Sequence, residues 1–214
     1  MRKTLLLLLL LLSGVFGQAP QPQSEEAERK RRVIEMLKIR PGDMAADVGC
    51  GEGFYTIPLA RSVGPAGKVF AEDIDEAALS KLKEHLTKER LKNVEIVKGV
   101  EDDPKLPANR LDEALIVNAY HEMTAHEAML RHILAALKPS GVFVLMEGIS
   151  DIRENLSRDE QIKHHQLAGG LAKSEVEKAG FNIVELRDPF IEVPGNEDGK
   201  FHWWLIVARK PPKN

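Results

Sequence analysis

The stretch DVGCGEGFYT, residues 47–56, places Asp47 two residues ahead of glycines at 49, 51 and 53, directly after an apolar run. Alternate glycines allow left-handed backbone conformations and let a ligand touch main chain with no side chain between. The spacing does not suit phosphate. A dinucleotide loop needs G-x-G-x-x-G, whose last glycine would fall on Phe54, and a Walker loop needs a closing G-K-[ST] that is missing here. Asp47 would repel a pyrophosphate and suits a ligand carrying an amino group or a positive charge.

Other residues with chemical potential follow at the ends of apolar runs. Asp73 closes the run KVFAED, 20 residues after Gly53, and a carboxylate there is a natural bidentate acceptor for a diol. A dinucleotide site would also use such an acid, so Asp73 does not discriminate alone. Asp75 fits an N-cap for the following helix, and Glu72 is expected to point the other way from Asp73. Further on come GVEDDPKLP (99–107) and NAYHEM (118–123). His121 has an ordinary pKa near neutrality and could serve as a general base or pack locally. Cys50, the chain's single cysteine, has no obvious base and reads as a small buried side chain. No metal site is expected, because cysteine and histidine spacing of the usual kind is missing and the neighbouring His164 and His165 would diverge on a helix.

These residues need a frame. The pattern predicts a helix over 25–38 stopped by Pro41-Gly42, then strands at 44–48, 68–73, 94–98, 111–117 and 142–147 separated by helices at 54–62, 76–89 and 125–137. Helical material is expected over 157–179, then strands at 181–187 and 201–209 around the polar turn PGNEDGK. Of Trp203 and Trp204, alternation sends one to the core and one to the surface or a pocket. Strands alternating with helices imply right-handed crossovers and a mainly parallel sheet, the last two strands forming an antiparallel hairpin. Ligands bind such sheets at the carboxyl ends of the strands, where strand order reverses.

An acid, three alternate glycines, Asp73 and this strand order together resemble the class I S-adenosylmethionine-dependent methyltransferases, over about residues 33–209. The ligand has an ammonium, a sulfonium and an adenosine but no phosphate, in keeping with Asp47. The resemblance implies a Rossmann-like α/β fold with a seven-stranded sheet and helices on both faces. It implies a cofactor site drawn from Asp47, Gly49, Cys50, Gly51, Gly53, Tyr55, Asp73, Ile74, Glu101, Asp102 and Asn118, with Asp73 gripping the ribose hydroxyls. The family often has Gly-Asp-Ala after the third strand, where this chain has Gly99-Val100-Glu101. Asp102 is favoured over Glu101 to replace that acid near the adenine, against the alternative of a solvated turn. The end of the fourth strand would face the acceptor, making Asn118, Tyr120, His121 and Glu122 its lining, with His121 and Tyr120 as the catalytic candidates. The implied activity is methyl transfer to a small-molecule acceptor; the rival readings are a non-catalytic cofactor-binding protein and a nicotinamide-dependent oxidoreductase, the latter disfavoured by Phe54.

A chain of 214 residues with 43% hydrophobic and 29% charged residues is long enough for one well-buried core. Its net charge of −3 argues against a dedicated nucleic-acid partner. Arg2 and Lys3 precede the run Leu5–Leu12 and the small residues around Gly17, the pattern of a signal peptide over 1–17 followed by a linker over 18–24 and a single domain over 25–214. Export to a periplasmic or external compartment is the expectation. The basic run RKRR at 29–32 opposes translocation, so an uncleaved leader serving as a membrane anchor is the alternative.

Overall fold

The computed structural model describes residues 22–196 and 199–212. The expected leader, 1–17, lies outside the described residues. Helix α1 (Pro22–Leu37) begins inside the stretch read as linker. It is followed by β1 (Met44–Val48), α2 (Thr56–Val63), β2 (Lys68–Asp73), α3 (Glu76–Lys88), β3 (Val94–Lys98), β4 (Leu111–Val117), α4 (His126–Ala136) and β5 (Leu137–Ser150). Two helices, α5 (Arg158–Ile162) and α6 (Gly169–Lys178), precede β6 (Asn182–Asn196) and β7 (Gly199–Arg209). Among the described residues no helix is long and apolar enough to cross a membrane.

The seven strands form one sheet in the order β3-β2-β1-β4-β5-β7-β6. The first five are parallel to one another, while β7 runs antiparallel to both β5 and β6. Alternation along the strands divides the core. Ala46, Val48, Ala114 and Ile116 pack on one face with Leu130, Ile133, Ala172 and Val176 from α4 and α6. Ala45, Leu115 and Val144 pack on the other with Val33, Leu37, Leu59 and Val63 from α1 and α2. Leu79, Leu82 and Leu86 of α3 cover Ala71 at the β2 end. Asp75 caps α3 as expected, its carboxylate accepting from the Ala77 N–H at 2.8 Å.

Three elements differ from the sequence expectation, the first being β5, which spans Leu137–Ser150 where a strand over 142–147 is expected. The helix expected over 157–179 is broken at 163–168, where His165 takes a left-handed φ of +54° and Gly169-Gly170 starts α6. Strand β6 runs past Asp188-Pro189 as far as Asn196, with register shifts between Arg187 and Ile191 and between Val193 and Asn196. It is the edge strand, the one place in a sheet where prolines at 189 and 194 need not donate to a neighbour. Trp204 is fully buried and donates its indole N–H to the Leu167 carbonyl at 2.6 Å, while Trp203 turns to a cavity.

Candidate functional site

Strand order reverses between β1 and β4, and their carboxyl ends carry the loops 49–53 and 118–123 side by side. Two cavities open there. The first, about 260 Å3, is lined by Arg29, Asp47, Tyr55, Phe54, Met146 and Trp203, among others. The second, about 340 Å3, is lined by Gly51, Glu72, Asp73, Ile74, Val100 and Glu101, with Glu122 and Met123 at its far side. Gly49 and Asn118 line both. Asn118 holds a left-handed φ of +54° and donates its backbone N–H to the Met146 carbonyl at 2.9 Å, which pins the ridge between the cavities.

The glycine loop is shaped by its neighbours. The Cys50 N–H donates to the Glu72 carbonyl at 2.9 Å, extending the β1–β2 ladder by one bond. The Gly51 N–H donates to one Asp73 oxygen at 2.8 Å, and the Asp75 N–H donates to the other at 2.8 Å. An ionised carboxylate has about four acceptor sites, so Asp73 is oriented by main chain and keeps capacity for a ligand. Gly51 has a φ of +53° and nothing within 4 Å of where a Cβ would stand, so a side chain there would project into open space at the cavity wall. Gly53 serves differently from expectation. It lines neither cavity, and a Cβ on it would come within 2.5 Å of Leu82 Cδ1, so it lets α3 approach the loop.

Asp47 is buried and accepts the Thr56 hydroxyl at 2.6 Å. Burial pushes its pKa up to about 7; the Thr56 hydroxyl opposes that and the Asp73 charge adds to it. Cys50 lines the first cavity, but burial and then the Asp47 charge push its thiol up, which leaves it without nucleophilic character. Tyr55 is 6% exposed, and burial raises its phenol to about 12. Its hydroxyl and the Arg29 Nε are buried and make no well-formed hydrogen bond, although the Arg29 side chain stands close enough to oppose the rise of the phenol; both residues line the first cavity. The rim of that cavity is aromatic and cationic, with Lys30 Nζ 3.4 Å from the Phe54 ring centre and the Arg29 guanidinium 5.3 Å from the Trp203 ring.

In the second cavity, Ile74 and Val100 are 52% and 44% exposed and present apolar surface suited to the faces of a planar base. Glu101 lines this cavity, and Asp102, the residue favoured from the sequence, does not. Glu72, expected to point away, lines it too. Its carboxyl is buried beneath Gly49, burial raises its pKa to about 8, and its Oε1 has no partner. That oxygen lies 1.8 Å from where a Gly99 Cβ would stand, so any side chain at 99 would have to displace the Glu72 carboxylate from its present position.

The two catalytic candidates lie outside the lining of both cavities. Tyr120 is fully buried and lines neither cavity; its hydroxyl donates to Glu175 at 2.8 Å, and Arg158 Nε donates to the other oxygen of Glu175 at 2.9 Å. Burial and then the Glu175 charge raise its phenol above the ordinary value. His121 is 4% exposed and also lines neither cavity. Its Nδ1 lies 2.8 Å from Glu147, a fully buried carboxylate on β5 that also accepts the Tyr120 N–H at 2.6 Å and the His121 N–H at 3.3 Å. Burial disfavours the imidazolium, but the Glu147 and Glu122 carboxylates outweigh it and hold the His121 pKa above the ordinary histidine value. The short 3-10 turn Tyr120–Glu122 thus turns both side chains down onto β5 and α6.

Sequence reading missed Arg29, Phe54, Glu72 and Val100. Arg29 lies 18 residues before Asp47 on α1, within a basic run that reads as a solvated face, and no local spacing ties it to the glycine loop. An apolar residue beside an acid just past a strand, as in Asp73-Ile74 and Val100-Glu101, is the signal the sequence holds for a base-binding wall.

The site therefore offers an acid and two donors without well-formed hydrogen bonds in one cavity, and an oriented carboxylate between apolar side chains in the next. This fits a zwitterionic amino acid joined to a nucleoside, with Gly49 and Asn118 at the join. The family model of a methyltransferase domain matches residues 39–201. The chain is 31% identical over 118 residues to the demethylmenaquinone methyltransferase of Staphylococcus carnosus, an alignment covering 55% of this chain and 48% of that protein. It therefore spans about half the length of the curated relatives it matches. Among solved structures, a SAM-dependent methyltransferase from Aquifex aeolicus superposes with a TM-score of 0.72 at 24% identity, covering 89% of this chain and 94% of that one. Phosphoethanolamine N-methyltransferase 2 of Haemonchus contortus, in complex with S-adenosyl-L-methionine, superposes with a TM-score of 0.69 at 15% identity, covering 86% of this chain and 52% of that one.

Proposed function

The chain belongs to the methyltransferase domain family, whose members draw on S-adenosylmethionine, and from that premise we propose that it methylates a small, flat, ring-bearing acceptor of the quinone class. One observation carries the reading of the cofactor site: a cavity holding Asp73, Ile74 and Val100 and a cavity holding Asp47, Arg29 and Tyr55 share Gly49 and Asn118. Asp73 would hold the ribose diol, Ile74 and Val100 the adenine faces, Asp47 the ammonium, and Arg29 with Tyr55 the carboxylate. When bound, the cofactor supplies a methyl group already activated on a sulfonium.

The protein's part is then positional. The ridge at Gly49 and Asn118 sets the junction of the two cavities, and Met146 and Val117 keep water from one side of it. Holding two reactants in line in such a site is worth about 7–11 kcal/mol. With Tyr120 and His121 bonded beneath the turn, neither cavity draws a histidine or lysine base from its lining. An acceptor that is readily ionised or nucleophilic at carbon, such as a reduced quinone ring, has the least need of one. Phe54 and Trp203 at the cavity mouth offer the stacking faces such a ring would use. The name of the curated relatives, demethylmenaquinone methyltransferase, supports the same acceptor class.

The test incubates the purified chain with methyl-labelled S-adenosylmethionine and, in parallel, a reduced demethylquinone and a set of polar amines and thiols. Label in the quinone is expected, and transfer confined to the amines or thiols would sink the acceptor class. Export is part of the reading, supported by Arg2 and Lys3 ahead of Leu5–Leu12. Cell fractionation against a variant lacking residues 1–17 tests it, and equal retention of both forms in the cytoplasm would overturn it.

A further inference from the structure

We propose that His121, Glu122 and His165 form a binding site for a divalent transition-metal ion of the zinc type, standing independently of methyl transfer. The three side chains come from two places, the turn after β4 and the broken helical stretch between α5 and α6. One ligand atom from each lies within 4.8 Å of the other two. His121 Nε2 is 3.5 Å and His165 Nδ1 is 3.4 Å from Glu122 Oε1. Ligands held at zinc bond lengths on a tetrahedron stand about 3.3 Å apart, so two of the three edges are already close to formed. The third needs only a rotation of the exposed His165 ring, which meets the His121 ring edge-on with centres 5.6 Å apart.

The backing of His121 is the second observation. Metal-binding imidazoles almost always give their other ring nitrogen to a carboxylate or carbonyl, which fixes the tautomer and the ring direction. Glu147, fully buried, takes that position at 2.8 Å from Nδ1 and leaves Nε2 facing Glu122 and His165. Two imidazoles and one carboxylate favour zinc and its neighbours over magnesium or calcium, which prefer oxygen throughout. The adjacency of His164 and His165 argued against metal binding on a continuous helix; the chain is not helical there, and only His165 is used. An ion at this point would tie the stretch 163–168 to the end of β4. It would also fix Glu122, which lines the second cavity.

The full chain, stripped with chelator, should bind one Zn2+ by calorimetry, and Co2+ in its place should give the intense visible bands of low-coordinate geometry. Because His165 is 74% exposed, His165→Ala should keep the fold while weakening binding at least 100-fold. Glu147→Gln should weaken it about 10- to 100-fold although all three ligands remain. Zn2+ should raise the thermal midpoint of the wild type and leave that of His165→Ala unmoved. His164→Ala and His202→Ala should bind as the wild type does; the latter probes the other cluster of this kind among the described residues, Glu154 with Asp188 and His202. The proposal fails if the wild type binds Zn2+ no better than His165→Ala, or if His202→Ala is the variant that abolishes binding.

Discussion

The loops after β1 and β4 sit side by side and treat their polar groups in opposite ways. Around the loop after β1, Asp73 at the end of β2 keeps acceptor capacity, and Tyr55 and, on α1, Arg29 hold buried donors without a well-formed hydrogen bond. After β4, the main polar groups are engaged: Glu147 takes three hydrogen-bonding contacts and Glu175 bridges Tyr120 and Arg158. A buried donor without a partner costs about 1–3 kcal/mol, a cost a binding site recovers when its ligand arrives and a structural loop never would. Toward the cofactor, the first loop therefore presents open polar groups and the second a braced wall, though both face the same cavities. Substitutions in the first should move affinity, and those in the second stability.

The most severe break of that division is Glu147→Leu. It strands two backbone N–H groups and the His121 ring, and should lower unfolding free energy by about 3–5 kcal/mol in denaturant titrations. A loss under 1 kcal/mol would mean the second loop is not the rigid one. Asp73→Ala is the counterpart. It should weaken S-adenosylmethionine binding about 100-fold by calorimetry, the worth of two charge-assisted hydrogen bonds, while stability falls by no more than about 1–2 kcal/mol.

Proton binding at Asp47 gives a subtler effect. In the empty protein its pKa is about 7, set first by burial, opposed by Thr56 and reinforced by the Asp73 charge. Cys50 and Tyr55 beside it are both raised and stay neutral near pH 7. A bound ammonium needs the ionised carboxylate and lowers its pKa, so affinity should rise with pH through this range, by about fivefold between pH 6 and 7. Asp47→Asn should bind more weakly and lose that slope; a wild type with flat affinity would remove Asp47 from the ammonium site.

The same division explains what could be read in the sequence. The first four strands, the hairpin pairing and the glycine loop follow from local patterns, and the structure has those strands where periodicity puts them, while β5 and β6 run well beyond their expected ends. The orientation of Tyr120 and His121 depends on Glu147 and Glu175, which lie 27 and 55 residues from Tyr120. Nothing in NAYHEM announces that partnership. Arg29 reaches the site because α1 packs across the sheet, and Glu72 because Gly99 leaves it room. The break before α6 was legible in Gly169-Gly170, which a reading guided by helical length passed over.

The smallest effect is also the sharpest test of the comparison. Tyr55→Phe removes one hydroxyl from the first cavity, and in the empty protein that hydroxyl makes no well-formed hydrogen bond, with only the Arg29 side chain near it. Deleting an unsatisfied buried polar group costs nothing and relieves a desolvation penalty, so the variant should be as stable as the wild type or slightly more so. If the hydroxyl donates to the cofactor's carboxylate, affinity should fall about two- to threefold, the low end for one hydrogen bond. Stability and affinity would then move in opposite directions from a single oxygen. A structural tyrosine would lose stability and leave affinity alone, and that outcome, read from paired thermal and calorimetric titrations, would assign Tyr55 to the scaffold together with Tyr120.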